Sequence, residues 1–247
     1  MDLTHSYDRV VPEAVRSRYV VRETRQAAAI LQATNPELFD EMVSALNEFE
    51  IVGNDLLTAG GQETQLARRF NDAFRSRGWR EARVDTEIEL RLRIMPYKPA
   101  GETKAEVITT PVSNKGYKVD NFKGRVALDL EWNAKDGNLD RDIGAYRALY
   151  EAGFIDVGVI VTRTQDELRA FATQLRLDAG MPEVEAKKML ATTTTTNLEK
   201  LIPRLTRGDA GGCPILAIAI SSSAYENAPT PRPQNPPAAS VDPGHAV

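Results

Sequence analysis

The sequence predicts an α/β fold. A strand–helix–strand unit occupies residues 118–163, a second wholly apolar strand lies at 213–220, and helical periodicities fill much of the first third. Early in the chain, Arg22–Gln32 and Pro36–Asn47 carry apolar residues at helical spacing, and Asn35-Pro36 is a helix start because proline fits the first helical turn. A third helix is expected over Gln62–Arg77, with Leu66, Phe70, Ala73 and Phe74 on its inner face, and Gly78 ends it. In Val84–Ile94 the residues Val84, Thr86, Ile88, Leu90, Leu92 and Ile94 alternate with charged ones, the pattern of a half-buried strand.

The central unit is the most informative. Over residues 125–133 the faces separate at period two: Val126, Leu128, Leu130 and Trp132 point one way, Arg125, Ala127, Asp129, Glu131 and Asn133 the other. A helix from Leu139 to Glu151 follows, with Leu139, Ile143, Tyr146 and Leu149 on one stripe and Gly153 closing it. The apolar run 155–162 then reads as a strand covered on both faces, so strand, helix and strand make a βαβ unit with a parallel pair. Pro182–Ala191 reads as a short helix and Cys213–Ile220 as another buried strand. From Ala224 to Val247 six prolines and few large apolar residues predict a disordered tail, leaving residues 1–223 as one folded domain with a helical N-terminal part.

Composition excludes several chemistries. One cysteine, Cys213, leaves no intrachain disulfide and fits a reducing cytoplasm. Two histidines, His5 and His245, argue against a Ser-His-Asp or Cys/His zinc site. No apolar run approaches the roughly 20 residues that span a bilayer, and the N-terminal residues lack the apolar stretch of a secretory signal. A net charge of −4 argues against indiscriminate binding to nucleic acid, though a local basic cleft is compatible with it. Hydrolytic chemistry in such a chain rests on carboxylates, lysines and a hard metal.

Asp129 and Glu131 sit two apart on one strand face, roughly 6–7 Å between α-carbons. A turn at Asn121–Gly124 would bring Asp120 alongside them. Converging carboxylates repel unless a cation sits between them, and Mg2+ prefers carboxylate, water and phosphate oxygens. Lys115, Lys118, Lys123, Arg125 and Lys135 are close in sequence and could dock a phosphate backbone. Alternating acids also mark an ordinary solvated strand face, so on spacing alone both readings stay open.

The stretch from Val119 to Arg163, with its Asp120, eight residues, Asp129-Leu130-Glu131 pattern, resembles the BglII/BstYI-like type II restriction endonucleases of the PD-(D/E)XK nuclease superfamily. Residues 200–218 resemble the C-terminal part of the same family, and the resemblance spans about residues 40–220. It implies a restriction-endonuclease-like central mixed β-sheet flanked by helices. It also implies Asp120 and Asp129 as metal ligands, with Glu131 as the third catalytic residue in the place usually held by lysine. No proline precedes Asp120, a second departure from the superfamily pattern. The implied protein is a homodimer that cuts palindromic double-stranded DNA, with a GATC-centred site and 5′-phosphate ends.

Other candidates are weaker. Asn133 and Lys135 follow the acidic strand and suit base edges or phosphates, but equally suit a solvated turn. Arg163 and Thr164 end a buried strand, where α/β sheets present ligands. Lys200, Arg204 and Arg207 are phosphate candidates, or a solvated face. Glu63 at the third helix start could assist the metal but more simply favours the helix dipole. Thr192–Thr196 reads as a loop near DNA, and Cys213 as a packed small residue. Two alternatives to a restriction enzyme remain: a structure-specific repair or recombination nuclease, and a catalytically silent DNA-binding protein.

Overall fold

The computed structural model describes residues 1–58 and 64–226. Its strands are β1 (Leu3–Thr4), β2 (Tyr19–Thr24), β3 (Arg80–Arg83), β4 (Thr86–Ile94), β5 (Glu106–Asn114), β6 (Lys118–Lys123), β7 (Val126–Leu130), β8 (Val157–Arg163) and β9 (Ile215–Ile220). The first six helices are α1 (Tyr7–Val10), α2 (Glu13–Arg16), α3 (Ala27–Thr34), α4 (Pro36–Glu48), α5 (Gly53–Leu57) and α6 (Gln65–Arg75). Then come α7 (Gly137–Glu151), α8 (Asp166–Asp178), α9 (Glu183–Ala186) and α10 (Leu198–Arg207).

Seven strands form one mixed sheet in the order β1-β2-β9-β8-β7-β6-β3. The β7–β8 and β8–β9 pairs are parallel and the remaining pairs antiparallel. Parallel strands need a crossover, and α7 supplies it between β7 and β8. Both faces of the central strands are therefore covered. Val126, Leu128, Leu130, Val157, Val159 and Val161 pack with α3, α4, α6 and α8. Ala127, Ile160, Ile215, Ala217 and Ala219 pack with α7 and α10. The expected restriction-endonuclease-like mixed sheet between helical layers is what the chain forms. No helix among the described residues is long and apolar enough to cross a membrane.

Three sequence expectations are corrected. The segment Arg22–Gln32 is not one helix: Tyr19–Thr24 is β2, paired with β9, and Arg25 and Gln26 turn through positive φ before α3 begins. The reason is tertiary. Glu23, fully buried, accepts from Ser6 Oγ at 3.0 Å and the Ala28 N–H at 2.8 Å, anchoring the strand–helix junction. The expected strand at Val84–Ile94 exists as β4 but is not half-buried. It pairs only with β5, and each of its residues is exposed. The expected helix Pro182–Ala191 shortens to the single turn of α9.

α6 starts at Gln65, where Thr64 Oγ1 accepts the Ala67 N–H at 3.1 Å as an N-cap. Glu63 lies outside the described residues. The expected tail begins with ordered residues: Ala224 is buried and Tyr225 packs its ring on Phe171, centroids 5.2 Å apart. The rest of that segment lies outside the described residues.

Gly158 in β8 is where the sheet admits no side chain. A Cβ there would come 2.3 Å from Cδ2 of Tyr146 on α7. Gly158→Ala is expected to destabilise the fold by about 1–3 kcal/mol through overpacking, read as a lower urea midpoint. An unchanged midpoint would mean that α7 can shift freely off β8.

Candidate active site

β6 and β7 form a hairpin turned at Gly124, with Asn121 opposite Leu128 and Phe122 opposite Ala127. Asp129 lies on the α7 side of β7, and Tyr146 Oη on α7 is 2.6 Å from its Oδ2. The backbone N–H of Asp120 donates to Asp129 Oδ1 at 2.7 Å, so the two acids predicted as a pair are joined across the hairpin. Glu131 follows the last residue of β7. Its N–H donates to Val161 O at 2.8 Å, and its carbonyl accepts the hydroxyls of Thr162 and Thr196 at 3.0 and 2.9 Å. Three bonds thus fix the backbone at the residue that follows the strand.

A fourth acid joins them. Asp142 on α7 is 2% exposed and lies against the Glu131 carboxyl. Arg141 spans the two, with Nη2 at 2.8 Å from Asp142 Oδ1 and 3.4 Å from Glu131 Oε1. Asn138 Nδ2 donates to Glu131 Oε2 at 3.3 Å. Asp142 Oδ2 has no hydrogen-bond partner, although it is buried. Two adjoining carboxyls can bond only by sharing a proton; once both ionise, that oxygen has no donor.

Asp120 and Glu131 open into a cleft of about 710 Å³. Asn138 and Arg141 of α7 line the cleft, as do Gln65, Asn71 and Arg75 of α6, whereas Asp129 and Asp142 are not part of its wall. Among the described residues no three His, Cys, Asp or Glu side chains converge into a cage for a metal ion. The donor chemistry still suits one. Magnesium is commonly held by one or two carboxylates with waters and substrate phosphates completing its shell. An unpartnered buried carboxylate oxygen among like charges is the kind of group that a hard cation would relieve.

Electrostatics agree with crowding. Burial, then the nearby Asp142 charge, pushes Asp129 up to about 7, against the lowering effect of the Tyr146 hydroxyl and the Asp120 N–H. Asp120 is raised by burial and by Asp142 and Glu81, with Arg141 and Arg75 opposing. Glu131 and Asp142 titrate as a pair and are held above the usual carboxylate range, chiefly by burial. Burial also raises the Tyr146 phenol, so it stays protonated. Its single proton faces two acceptors, Asp129 Oδ2 and Val159 O at 2.8 Å. A protonated Asp129 would donate to Tyr146 Oη and leave the phenol proton for Val159.

A family profile described as restriction endonuclease BglII/BglIII matches residues 19–220, from the first residue of β2 to the last of β9. The chain belongs to that family. Membership makes it a type II restriction endonuclease, a DNA-cleaving hydrolase. No curated protein sequence matches the chain.

Against the BglII/BglIII family background, the remaining candidates fall into three groups. Asn133, at positive φ, is exposed and lines the cleft, and Lys135 is exposed beside it, its backbone bridged to Thr195. Lys200 Nζ is 2.8 Å from Asp136 Oδ2, and Arg204 makes two bonds to Asp140 at 2.7 and 2.9 Å. Arg163 and Thr164 are buried. Arg163 reaches Gln165 Oε1 at 2.7 Å and Thr195 Oγ1 at 3.1 Å, and Thr164 Oγ1 donates to Glu167 at 2.7 Å. Arg163 therefore braces the end of β8 against the threonine loop, whose Thr195 and Thr196 are also buried, while Thr164 ties it to α8.

The cations expected to surround the acids are mostly engaged elsewhere. Lys123 bonds Glu41, Arg125 bonds Asp156, and Lys118 bonds Glu81. Asp142, Arg141, Asn138 and the hydroxyl role of Tyr146 escaped sequence reasoning. One signal was present: Asp142 falls on the Leu139, Ile143, Tyr146 stripe of α7, where an acid has no reason to be buried alone.

The metal-free protein carries a pH signature. Folded Asp129 holds its proton to about 7, against 3.8 for the unperturbed group, so the folded state binds more protons between those values. Stability is fully present below that window and falls as pH rises through it. In chelator-treated protein the urea midpoint is expected to drop between about pH 4 and 7, and Asp129→Asn should flatten the slope. A slope unchanged by Asp129→Asn would place the perturbed proton elsewhere.

Proposed function

We propose that the protein is a magnesium-dependent, sequence-specific endonuclease acting as a homodimer on palindromic double-stranded DNA, with one site per subunit. The observation that carries the reading is the bond from the Asp120 backbone N–H to the Asp129 carboxylate, with Asp120 and Glu131 in the wall of a cleft. The family match and the resemblance around Asp120–Glu131 support a GATC-centred recognition site and 5′-phosphate ends. The single cysteine agrees with work in the cytoplasm.

Asp120 and Asp129 are the residues that would hold Mg2+. Bound there, the ion supplies Lewis-acid polarisation of a phosphoryl oxygen and a lowered pKa for water. Glu131, fixed by its backbone bonds and by Asn138, orients the attacking water with its carboxylate. Arg141 limits the repulsion between Glu131 and Asp142. Tyr146 keeps Asp129 in one rotamer through its hydroxyl. Asn133, which lines the cleft, and the exposed Lys135 near it would meet DNA. Lys200 and Arg204 would exchange Asp136 and Asp140 for phosphates, while Arg163 contributes by holding the threonine loop and Thr164 by holding α8.

Incubation with plasmid DNA and Mg2+ is expected to give discrete fragments, and sequencing their ends gives site and overhang together. Asp120→Ala and Asp129→Ala should each reduce cleavage by at least about a hundredfold, the scale of losing one strong transition-state contact, with DNA binding retained. Discrete cutting by Asp129→Ala would refute the assignment. A junction-dependent cut instead of fixed bands would point to a structure-specific nuclease.

Tyr146→Phe separates positioning from ligation. It keeps the ring packed on Gly158 and removes the hydroxyl from Asp129. Cleavage should fall, with the deficit partly recovered at raised Mg2+ concentration. A deficit insensitive to Mg2+ would remove Tyr146 from the positioning of Asp129.

A further inference from the structure

Among the described residues two cations line the cleft into which Asp120 and Glu131 open, Arg75 from α6 and Arg141 from α7. They are held differently. Arg75 reaches Asp72 at 3.3 Å on its own helix, where both side chains are about half exposed. Arg141 is anchored on an acid of the site: its Nε and Nη2 lie 2.9 and 2.8 Å from Asp142 Oδ1. Nη2 also reaches Glu131 Oε1 at 3.4 Å. The same guanidinium is close enough to Asp120 and Asp129 for the charges to act on each other.

A guanidinium carries five N–H donors in a planar fork. Here the Nε and Nη2 edge is engaged with Asp142 and Glu131, whereas Nη1 has no partner among the described residues. The side chain is 53% accessible and forms part of the cleft wall. Its anchor is rigid. Asp142 is buried on α7, and the ring of Tyr146 seats α7 against Gly158 of β8. A donor held this way needs no reorganisation when charge develops in front of it.

Hydrolysis of a phosphodiester spreads negative charge over the non-bridging oxygens while water adds to phosphorus and the 3′ oxygen leaves. The attacking water gives up a proton and the departing oxygen takes one. Arginine stays charged throughout, so it suits the charge and not the proton transfers. We propose that Arg141 is a catalytic residue, its Nη1 edge donating to a non-bridging oxygen of the scissile phosphate in the transition state. Asp142 is the residue that positions it. The inference rests on the nuclease reading of this cleft and adds a charge-stabilising contact from α7.

The test is single-turnover plasmid cleavage by full-length Arg141→Ala and Arg141→Lys across a Mg2+ titration. Arg141→Ala is expected to lose at least about a hundredfold in rate at saturating Mg2+, the scale of one lost transition-state donor. Its affinity for a duplex carrying the mapped cut site, measured with Ca2+ in place of Mg2+, should change little. Arg141→Lys keeps a point charge without the fork and should recover only part of the loss. Added methylguanidinium should restore Arg141→Ala in a saturable way and do nothing for Asp129→Ala. An Arg141→Ala rate equal to wild type overturns the proposal. So does a deficit that disappears as Mg2+ is raised, because the arginine would then only balance the acids, or one that methylguanidinium leaves untouched. If circular dichroism shows Arg141→Ala unfolded, Arg141→Lys decides, and a wild-type rate there overturns the proposal. A wild type that cuts nothing sinks the nuclease reading itself, whereas cutting by Arg141→Ala but not by Asp129→Ala sinks this inference alone.

Discussion

The close approach of Tyr146 to β8 is the contact on which the site depends. The ring occupies the space where any other residue at position 158 would place a side chain, which brings its hydroxyl within reach of both Asp129 and the Val159 carbonyl. Parallel pairing of β7 with β8 forces a crossover, and that crossover is the helix carrying Tyr146, Asp142, Arg141 and Asn138. The topology that completes the sheet thus also delivers half of the polar groups of the site. Packing and chemistry share one helix, so a disturbance of either reaches the other.

Charge distribution explains how an acidic protein can act on a polyanion. Most of its cations near the cleft are paired, but the pairs include exposed ones: the side chains of Lys118 and Glu81 are 61 and 55% accessible. Exposed pairs contribute only about 0–1 kcal/mol. A phosphate can therefore replace a carboxylate partner at small cost, and Arg204, whose guanidinium already makes two bonds to Asp140, has the fork geometry that suits phosphate. Arg163 is of another kind. Fully buried and with its Nε unpartnered, it is a structural cation for which exchange would require opening the end of β8.

What the sequence made legible follows the range of each interaction. β7, α7, β8 and β9 carry strong periodicity or continuous apolarity because they are buried within the sheet and its helical cover, so local pattern and tertiary role coincide. Asp120 and Asp129 were legible as a pair because only a short hairpin separates them. β2 was not: the helix expected over Arg22–Gln32 ran into its last three residues, and pairing with β9, almost two hundred residues away, decides the outcome. The alternation of β4 was read correctly, but alternation shows only that two faces differ, not that one is covered. Asp142 was missed because its partners belong to β7 and become visible only when α7 folds back.

On the resemblance, Glu131 takes the place usually held by lysine, which would remove one positive charge from the site and add a negative one. The structure shows where a compensating charge lies. The Arg141 guanidinium, from the helix and not the strand, reaches both Glu131 and Asp142. Its side chain is about half exposed while both carboxyls are buried, so it can screen them from the cleft side. A lysine on the strand would have supplied charge at a fixed point on β7. An arginine on α7 supplies it from a side chain that reaches both acids and lines the cleft. Asp120 and Glu131 line the cleft while Asp129 and Asp142 are buried outside its wall, an arrangement whose repulsion has to be balanced from outside the strand.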